Sequence, residues 1–504
     1  MQPVLNTLDI VIVVAYCLGM LLLGFYFSRQ QHDPKAYLLG DKNIAWWLVL
    51  ISIVATETST VTFLSVTGKG FGVWDKASQQ YIPGNLTFLQ LALGFIVGRC
   101  LIAWWLVPLY FRGEHYSAYQ VLRQKFGPGV HRLASLVFLV TRIIADGLRL
   151  YLAGLFLAGL MGQQLSIHWC ILIMGMVTLI YTYLGGIKAI FWTDLVQFCI
   201  KVAGAGITLY VVIHWLPGGI HHYWQAMPMG ALQIFDFHFD WSQVQTFWAG
   251  ILGGAFLSMA THGADQMMVQ RYLCSRSLTE ARLSLISSGV VIFLQFLLFM
   301  LVGLGFFLLM QEGLFSVNPE IPPDQVFALF LAGNFIPVGV KGVIVAAVLA
   351  AAMSTLSASW NSTASTVVYD FYRPYVPQKT EGQYLIVARF VTLLAGVLQM
   401  GIAWLAISLV ADRSIIDRVL EIAGLTSGLL LGLFMLGSSY KVVRSRSAVC
   451  GLLAGLLLVN LLYWSKYWGY PVAWPWYTPA GAITTWLVGI ISDRLLPSSR
   501  EVSS

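Results

Sequence analysis

Apolar runs long enough to cross a bilayer recur along almost the whole chain. A transmembrane helix needs about 20 predominantly apolar residues, and by that measure we count about thirteen spans. They lie at roughly 8–28, 44–66, 85–111, 130–162, 168–184, 190–215, 244–272, 284–310, 338–370, 384–410, 415–437, 447–465 and 478–496. Only 10% of the residues are charged, against about a quarter in soluble proteins. The sequence therefore predicts an all-α polytopic membrane protein with a single integral-membrane domain over residues 1–504.

The distribution of lysine and arginine predicts the orientation of these spans. The first span has no basic residue before it and Arg29 directly after it, which is the reverse of the flanks of a cleavable signal peptide. We therefore expect the N-terminus outside the cell. Basic residues then concentrate in the cytoplasmic loops, as in most membrane proteins. This pattern predicts that the protein lies in the plasma (inner) membrane with its C-terminus in the cytoplasm. Basic cytoplasmic loops also explain the net charge of +7, so no nucleic-acid partner is expected.

A carboxylate and several hydroxyls interrupt the second span. Glu57 lies near its centre, where an ionised side chain is costly unless it meets water, an ion or a partner. The hydroxyl residues around it are Thr56, Thr58, Ser59, Thr60 and Thr62. Such residues offer their oxygens to the backbone or to a ligand. A helix that is interrupted at mid-membrane, with oxygens turned inward, is typical of a cation site in a secondary transporter.

The seventh span carries a corresponding interruption. Glycines and polar residues meet near its centre, namely Gly253, Gly254, Thr261, His262, Gly263, Asp265 and Gln266. Spans two and seven are five apart and so run in opposite directions, as inverted five-helix repeats over spans 2–6 and 7–11 require. Broken first helices in two such repeats indicate a binding site at the midplane. The alternative for span seven alone is a glycine-rich packing surface.

These repeats predict the organisation of the chain. We expect a first span with its cytoplasmic loop over 1–43, a first repeat over 44–215, a second repeat over 244–437 and two peripheral spans over 447–496.

The ninth span presents oxygens on one face. Ala351, Ser354, Thr355 and Ala358 follow the spacing i, i+3, i+4, i+7, so they share a side of the helix. That side can direct the Ala351 carbonyl and two hydroxyls to a point between helices. An oxygen-only set suits a hard cation. The alternative is that the hydroxyls bond to their own backbone or across a helix interface.

The fourth span holds three charges on one face. Asp146 is four residues from Arg142 and three from Arg149, so all three side chains are neighbours. One carboxylate cannot neutralise two guanidinium groups. Either Arg149 pairs with an acid from another helix, such as Asp194 or Glu57, or it binds an anionic group of a substrate.

Together these segments resemble the sodium:solute symporter family, which includes the proline and pantothenate permeases and the sodium–glucose, sodium–iodide and monocarboxylate carriers. The motifs that carry the resemblance are ATETSTVTFLSVTGKG (55–70), YLGGIKAIFWTDLVQ (183–197), GADQMMVQRYL (263–273) and AAMSTLSASWNSTASTVVYDFY (351–372). The resemblance implies a sodium-coupled symporter that works by alternating access. Its partners would be the lipid bilayer, a small-molecule substrate and the sodium ion, with no cofactor and no enzyme activity.

Position by position, the resemblance also implies a set of site residues. The common sodium site would consist of the carbonyls of Ala55, Thr58 and Ala351 and the hydroxyls of Ser354 and Thr355. Asp194 would lie on its cytoplasmic side, with Gln197 one turn further along. Glu57 matches an acid that the proline permeases need for sodium dependence, and Ser59 matches a serine common in the family, so both are candidates for a second ion or the substrate. The candidate substrate residues are Arg149, Thr62, Ser258 and Thr261.

Differences between this chain and the hexose carriers of the family constrain the substrate. The hexose carriers place Glu and Gln where this chain has Val61 and Thr62, and an aromatic gate where it has Thr261, so a hexose is not expected. Arg149 suits bidentate capture of a carboxylate, which favours an amino acid or a small monocarboxylate. A neutral sugar or polyol is the alternative solute.

Two further alternatives concern the mechanism. A proton-coupled carrier of the same architecture would use Glu57 or Asp194 as a titrating group in place of a sodium shell. A membrane-embedded enzyme or sensor would need a nucleophile–base pair, a metal motif or a signalling domain, and the sequence contains neither HExxH nor GxSxG.

Overall fold

The computed structural model describes residues 5–29, 33–113, 115–161, 165–409, 415–439 and 443–495. Most of these residues are helical, and the helices of the first half are α1 (Thr7–Ser28), α2 (Pro34–Leu39), α3 (Trp46–Glu57), α4 (Thr60–Phe71), α5 (Leu89–Trp105), α6 (Val107–Phe111), α7 (Gln120–Met161), α8 (Ile167–Trp215) and α9 (Gly219–Gln225). Those of the second half are α10 (Gly254–Gly263), α11 (Gln266–Leu273), α12 (Leu278–Gln311), α13 (Val326–Ala332), α14 (Val340–Thr366), α15 (Arg373–Tyr375), α16 (Glu381–Leu409), α17 (Ile415–Ser439), α18 (Ser445–Trp464) and α19 (Tyr477–Leu495).

Sheet structure is confined, within the described residues, to one short hairpin. Strands β1 (Gly72–Asp75) and β2 (Gln80–Pro83) follow α4 and pair antiparallel, with Gly72 opposite Pro83. Eight described helices are long and apolar enough to cross a membrane, and the bent pair of α3 and α4 makes nine. These helices cover ten of the thirteen predicted spans, since α8 contains two of them. The predicted spans 244–272, 415–437 and 478–496 lie on helices that are broken, shorter or less apolar, namely α10 with α11, α17 and α19.

Helix α8, of 49 residues, contains two predicted spans. Gly186 separates them with φ 56° and ψ −159°, a conformation outside the helical region. A Cβ atom at this position would lie 2.6 Å from the Tyr37 ring. Only glycine tolerates both the positive φ and this close approach, so the GG pair in YLGGIK marks the turn between the two spans.

The centre of the molecule is formed by α14, which packs most extensively against α8. In the most apolar stretch of the span that contains α14, 94% of the residues are buried, compared with 17% in the corresponding stretch of α1. A helix that is buried on all sides can carry polar residues only if they find partners. The serines and threonines of α14 are therefore inside the protein, whereas α1 leaves most of its apolar surface for lipid.

Candidate ion and substrate sites

The second predicted span is broken in the middle. Helix α3 ends at Glu57, α4 begins at Thr60, and the two are bent by 68°. The Ser59 N–H would bond to the Ala55 carbonyl in a continuous helix, but it donates instead to Glu57 O at 3.0 Å. Carbonyls at a helix C-terminus lack intrahelical donors and carry partial negative charge. The break therefore leaves the Ala55 carbonyl available for a cation or a donor side chain.

The seventh predicted span is also interrupted. A π-helical turn at Ala249–Gly253 leads into α10, which ends at Gly263, and α11 begins at Gln266. Asp265 caps α11 by accepting a 2.8 Å hydrogen bond from Met267 N. The two breaks place carboxylates and hydroxyls near each other in the interior.

Hydroxyls of α14 reach the broken end of α3. Ser354 Oγ donates to Ala55 O at 2.7 Å, and Thr355 Oγ1 donates to Thr56 O at 2.9 Å. Both hydroxyls also lie 3.3 Å from the Ala351 carbonyl oxygen. The structure thus brings together the predicted groups of α3 and α14, although Ser354 and Thr355 act here as donors to the backbone.

A lysine that the sequence reasoning missed lies among these oxygens. Lys201 Nζ is 2.6 Å from Ala55 O, 3.2 Å from Thr58 O and 3.4 Å from Ser354 Oγ. Its side chain is fully buried. The signal was present in the sequence, because Lys201 lies inside the predicted span 190–215 and an intramembrane charge indicates a functional site.

Asp194 occupies the same helix as Lys201, two turns earlier. Its carboxylate accepts a 2.5 Å hydrogen bond from Ser52 Oγ and lies 3.4 Å from Arg271. Gln197, its predicted neighbour, contacts Met20 Sδ at 3.8 Å through Nε2. The Asp194 Oδ1 and Gln197 Oε1 atoms are buried and accept no hydrogen bond among the described residues. Asp194 is therefore an ion-paired acid beside the oxygen cluster.

Glu57 is paired with an arginine from α5. Its carboxylate contacts Arg99, which is fully buried, and lies 3.5 Å from His262 on α10. Ser59 Oγ and Thr62 Oγ1 are 3.5 Å apart, and Thr62 Oγ1 also lies 3.4 Å from Glu57 O. The partner that Glu57 requires at mid-membrane is thus Arg99, which the sequence analysis did not single out.

The three charges of the fourth span find a partner that the sequence analysis did not consider. Arg149 pairs with Asp146 on its own helix, and Arg142 pairs with Asp265 at the N-terminus of α11. Arg142 also remains 3.7 Å from Asp146. Arg149 thus pairs within α7 and with neither Asp194 nor Glu57, and the acid from another helix, Asp265, pairs with Arg142 instead. The Nε atoms of both arginines are buried and have no hydrogen-bond partner among the described residues.

Charged groups of the two broken spans and of α7 line a cavity of about 150 Å³, whereas Lys201, Asp194 and Ser354 are not part of its lining. It lies between the two broken spans and α7, and aromatic residues such as Phe95, Phe138 and Phe296 form much of its apolar wall. Its polar lining consists of Thr56, Glu57, Ser59, Thr62, Thr141, Arg142, Arg149, Thr261, His262, Asp265, Thr426 and Ser427. A concave, mostly apolar space with a few convergent polar groups is the usual form of a small-molecule site.

Comparison with known proteins adds independent evidence. Residues 37–455 match the model of the Sodium:solute symporter family. The chain belongs to this family. It is 27% identical to the sodium/sialic acid symporter SiaT of Proteus mirabilis, over 98% of this chain and 96% of that protein. It is 26% identical to the sodium-coupled monocarboxylate transporter 2 of Bos taurus, over 94% of this chain and 73% of that protein.

A solved structure matches the whole fold. The chain resembles the substrate-bound, outward-open state of a Na⁺-coupled sialic acid symporter with a TM-score of 0.85 and 26% identity, over 98% of both chains. This match confirms the predicted all-α transporter fold. The protein is a multi-pass integral membrane transporter of a sodium-coupled family, and the similar proteins are transporters rather than enzymes.

The predicted substrate residues of this symporter do not all lie together. Arg149, Thr62 and Thr261 line the cavity, as do the candidate residues Glu57 and Ser59. Ser258 is fully buried outside the lining, where its hydroxyl donates to the Phe95 carbonyl at 3.1 Å. The cavity therefore joins most of the candidates from spans two, four and seven, and it adds Arg142, His262 and Asp265 to them.

Proposed function

We propose that this symporter imports a small organic solute that bears a carboxylate, and that the sodium gradient drives the import by alternating access. The observation that carries this proposal is the position of Arg142 and Arg149 on the cavity between the two broken spans. Both guanidinium groups are only slightly exposed, at 12% and 19%. A guanidinium in such a partly dry site matches the planar geometry of a carboxylate.

The arginines retain donors that a substrate can use. Each guanidinium has five N–H groups, and the ion pair with Asp146 uses Nη1 of Arg149, which leaves Nη2 for a solute in the cavity. A buried donor without an acceptor is unfavourable. A solute carboxylate in the cavity would supply acceptors to Arg149 and Arg142 without removing the existing ion pairs.

The relatives support the same solute class. One is named for sialic acid and another for monocarboxylates, and both names describe acids. The charges around the cavity are balanced, because Glu57, Asp146 and Asp265 match Arg99, Arg142 and Arg149 in number. The proposal therefore rests on unused hydrogen-bond donors and not on a surplus of positive charge.

The energy available is sufficient for concentrative uptake. Sodium entry down a tenfold gradient yields about 1.4 kcal/mol, and each 100 mV of membrane potential adds about 2.3 kcal/mol. Their sum, about 3.7 kcal/mol for each ion at 100 mV, supports roughly 500-fold accumulation of a zwitterionic amino acid, which carries no net charge. A monoanion that enters with one sodium ion moves no net charge, so only the gradient of about 1.4 kcal/mol acts on it and supports roughly tenfold accumulation. We also propose a single integral-membrane domain in the plasma (inner) membrane, with the N-terminus outside and the C-terminus in the cytoplasm.

A substrate panel in proteoliposomes tests this proposal. Amino acids, small monocarboxylates and sialic acid are compared with their neutral amides and with a sugar and a polyol, each with and without a sodium gradient. We expect sodium-dependent uptake of at least one acid and little uptake of its amide. Preferred uptake of the neutral solutes would overturn the carboxylate assignment. Uptake that persists without sodium and follows an imposed proton gradient would establish the proton-coupled alternative.

A further inference from the structure

The oxygen cluster at the break of α3 already holds a positive group. Lys201 Nζ contacts three acceptors, namely Ala55 O, Thr58 O and Ser354 Oγ, at 2.6, 3.2 and 3.4 Å. Three acceptors match the three N–H donors of an ammonium group. Two of them are backbone carbonyls at the end of a helix, where the helix dipole favours a cation.

The same acceptors form most of the predicted sodium site. That site requires the carbonyls of Ala55, Thr58 and Ala351 and the hydroxyls of Ser354 and Thr355 to direct their oxygen lone pairs at one ion. In the structure Ser354 Oγ lies 2.7 Å from Ala55 O, which is the separation of a hydrogen bond between the two oxygens. Two like charges cannot share one small set of ligands without strong repulsion in a poorly solvated interior. Sodium and the Lys201 ammonium group therefore do not fit this site together.

We propose that Lys201 is a tethered cation that takes the place of sodium in this site of the symporter. The inference rests on the proposed sodium-coupled transport and restricts it, because the ion that drives uptake must then bind outside this oxygen cluster. Lys201 also links α8 to the broken end of α3 and to α14. The lysine thus holds α3, α8 and α14 together at the site where a bound sodium ion would otherwise do so.

Binding of ²²Na⁺ to purified protein tests this inference without reference to any solute. The variants are Lys201→Met, Ser354→Ala, the double variant Lys201→Met/Ser354→Ala and, as a control for removal of a lysine charge, Lys76→Met in the exposed β1–β2 hairpin. We expect Lys201→Met to bind about one sodium ion more per protein than the native chain. We expect the added Ser354→Ala to weaken that extra binding by roughly tenfold or more, a difference of about 1.4 kcal/mol.

The native background provides the second measurement. With Lys201 present, Ser354→Ala should leave sodium affinity within about twofold, since the hydroxyl then serves the lysine. A weakening of roughly tenfold in that single variant would overturn the inference, because sodium would then occupy the cluster beside Lys201. A folded Lys201→Met protein with no additional sodium binding would overturn it as well. If Lys201→Met does not fold, the single Ser354→Ala variant decides.

The outcomes also separate this inference from the proposed function. If no acid in the substrate panel is transported, but Lys201→Met binds additional sodium, the proposed solute is contradicted and the tethered cation is supported. Sodium-driven uptake of an acid that weakens in Ser354→Ala in parallel with sodium binding would support the function and reject the tethered cation.

Discussion

Ser52 on α3 donates a 2.5 Å hydrogen bond to the Asp194 carboxylate on α8. Arg271 on α11 lies 3.4 Å from the same carboxylate, and all three side chains are buried. Asp194 therefore connects one half of each broken span to α8. Because both charges are almost free of solvent contact, each depends on the other for compensation.

The first prediction concerns this ion pair. Asp194→Asn leaves the Arg271 guanidinium buried without a full negative partner, and removal of one member of a buried pair costs about 3–5 kcal/mol. We expect a marked loss of thermal stability in detergent and a loss of solute uptake. The matched control is Asp41→Asn, whose carboxylate is 47% exposed and pairs with Lys188 at 2.7 Å.

The control pair should contribute less than about 1 kcal/mol, because water already screens it. A second variant distinguishes pairing from a direct role in transport. The double change Asp194→Asn/Arg271→Gln should recover stability relative to Asp194→Asn alone. Full stability of Asp194→Asn by itself would contradict the ion-pair account.

The second prediction concerns Glu57 and Arg99. Glu57→Gln leaves Arg99, which is fully buried, without its carboxylate. We expect lower thermal stability and, because Glu57 lines the cavity, weaker apparent solute affinity in uptake assays. Glu312→Gln removes a carboxylate that is one-third exposed and pairs with His222, and it should change neither quantity.

A double-mutant cycle separates the two effects of Glu57. The coupling between Glu57→Gln and Arg99→Gln in unfolding experiments measures the ion pair directly. A coupling energy near zero would show that Arg99 is not the structural partner of Glu57.

The third prediction concerns the proposed carboxylate-binding arginines. Arg149→Lys retains the charge and removes the planar pair of donors, so we expect apparent solute affinity to fall by roughly 100-fold while sodium affinity changes little. Arg149→Lys should still pair with Asp146 one turn away, so folded protein should be retained. If Arg149→Lys lowers the amount of folded protein but leaves the apparent solute affinity unchanged, Arg149 serves only the structural pair with Asp146.

The fourth prediction concerns the close contact of α5 with the seventh span. A Cβ atom at Gly94 would lie 2.4 Å from the Gly250 carbonyl oxygen, whereas one at Gly19 on α1 meets nothing within 4 Å. We expect Gly94→Ala to destabilise the protein by about 1–3 kcal/mol through overpacking. Gly19→Ala is the matched control and should leave the unfolding temperature unchanged or slightly higher. Equal unfolding temperatures in both variants would contradict the tight packing.

The local pattern of the sequence predicted much of the architecture. The apolar runs indicated the spans, and the polar residues around Glu57 and Asp265 indicated where spans two and seven are interrupted. The spacing of Ala351, Ser354 and Thr355 placed them on one face. These features depend on the length and periodicity of single segments, so they can be predicted without knowledge of the neighbours.

Tertiary structure alone decided which charged groups meet. Arg142 pairs with Asp265, 123 residues away, and Lys201 reaches Ala55 across 146 residues. The sequence contained every one of these groups, but several acids were possible partners for each base. Lys201 meets Ala55 because α8 packs against the broken end of α3, and Arg142 meets Asp265 because the break in the seventh span lies beside α7. In a medium that solvates no charge, the pairs that form are those whose helices pack within reach of each other.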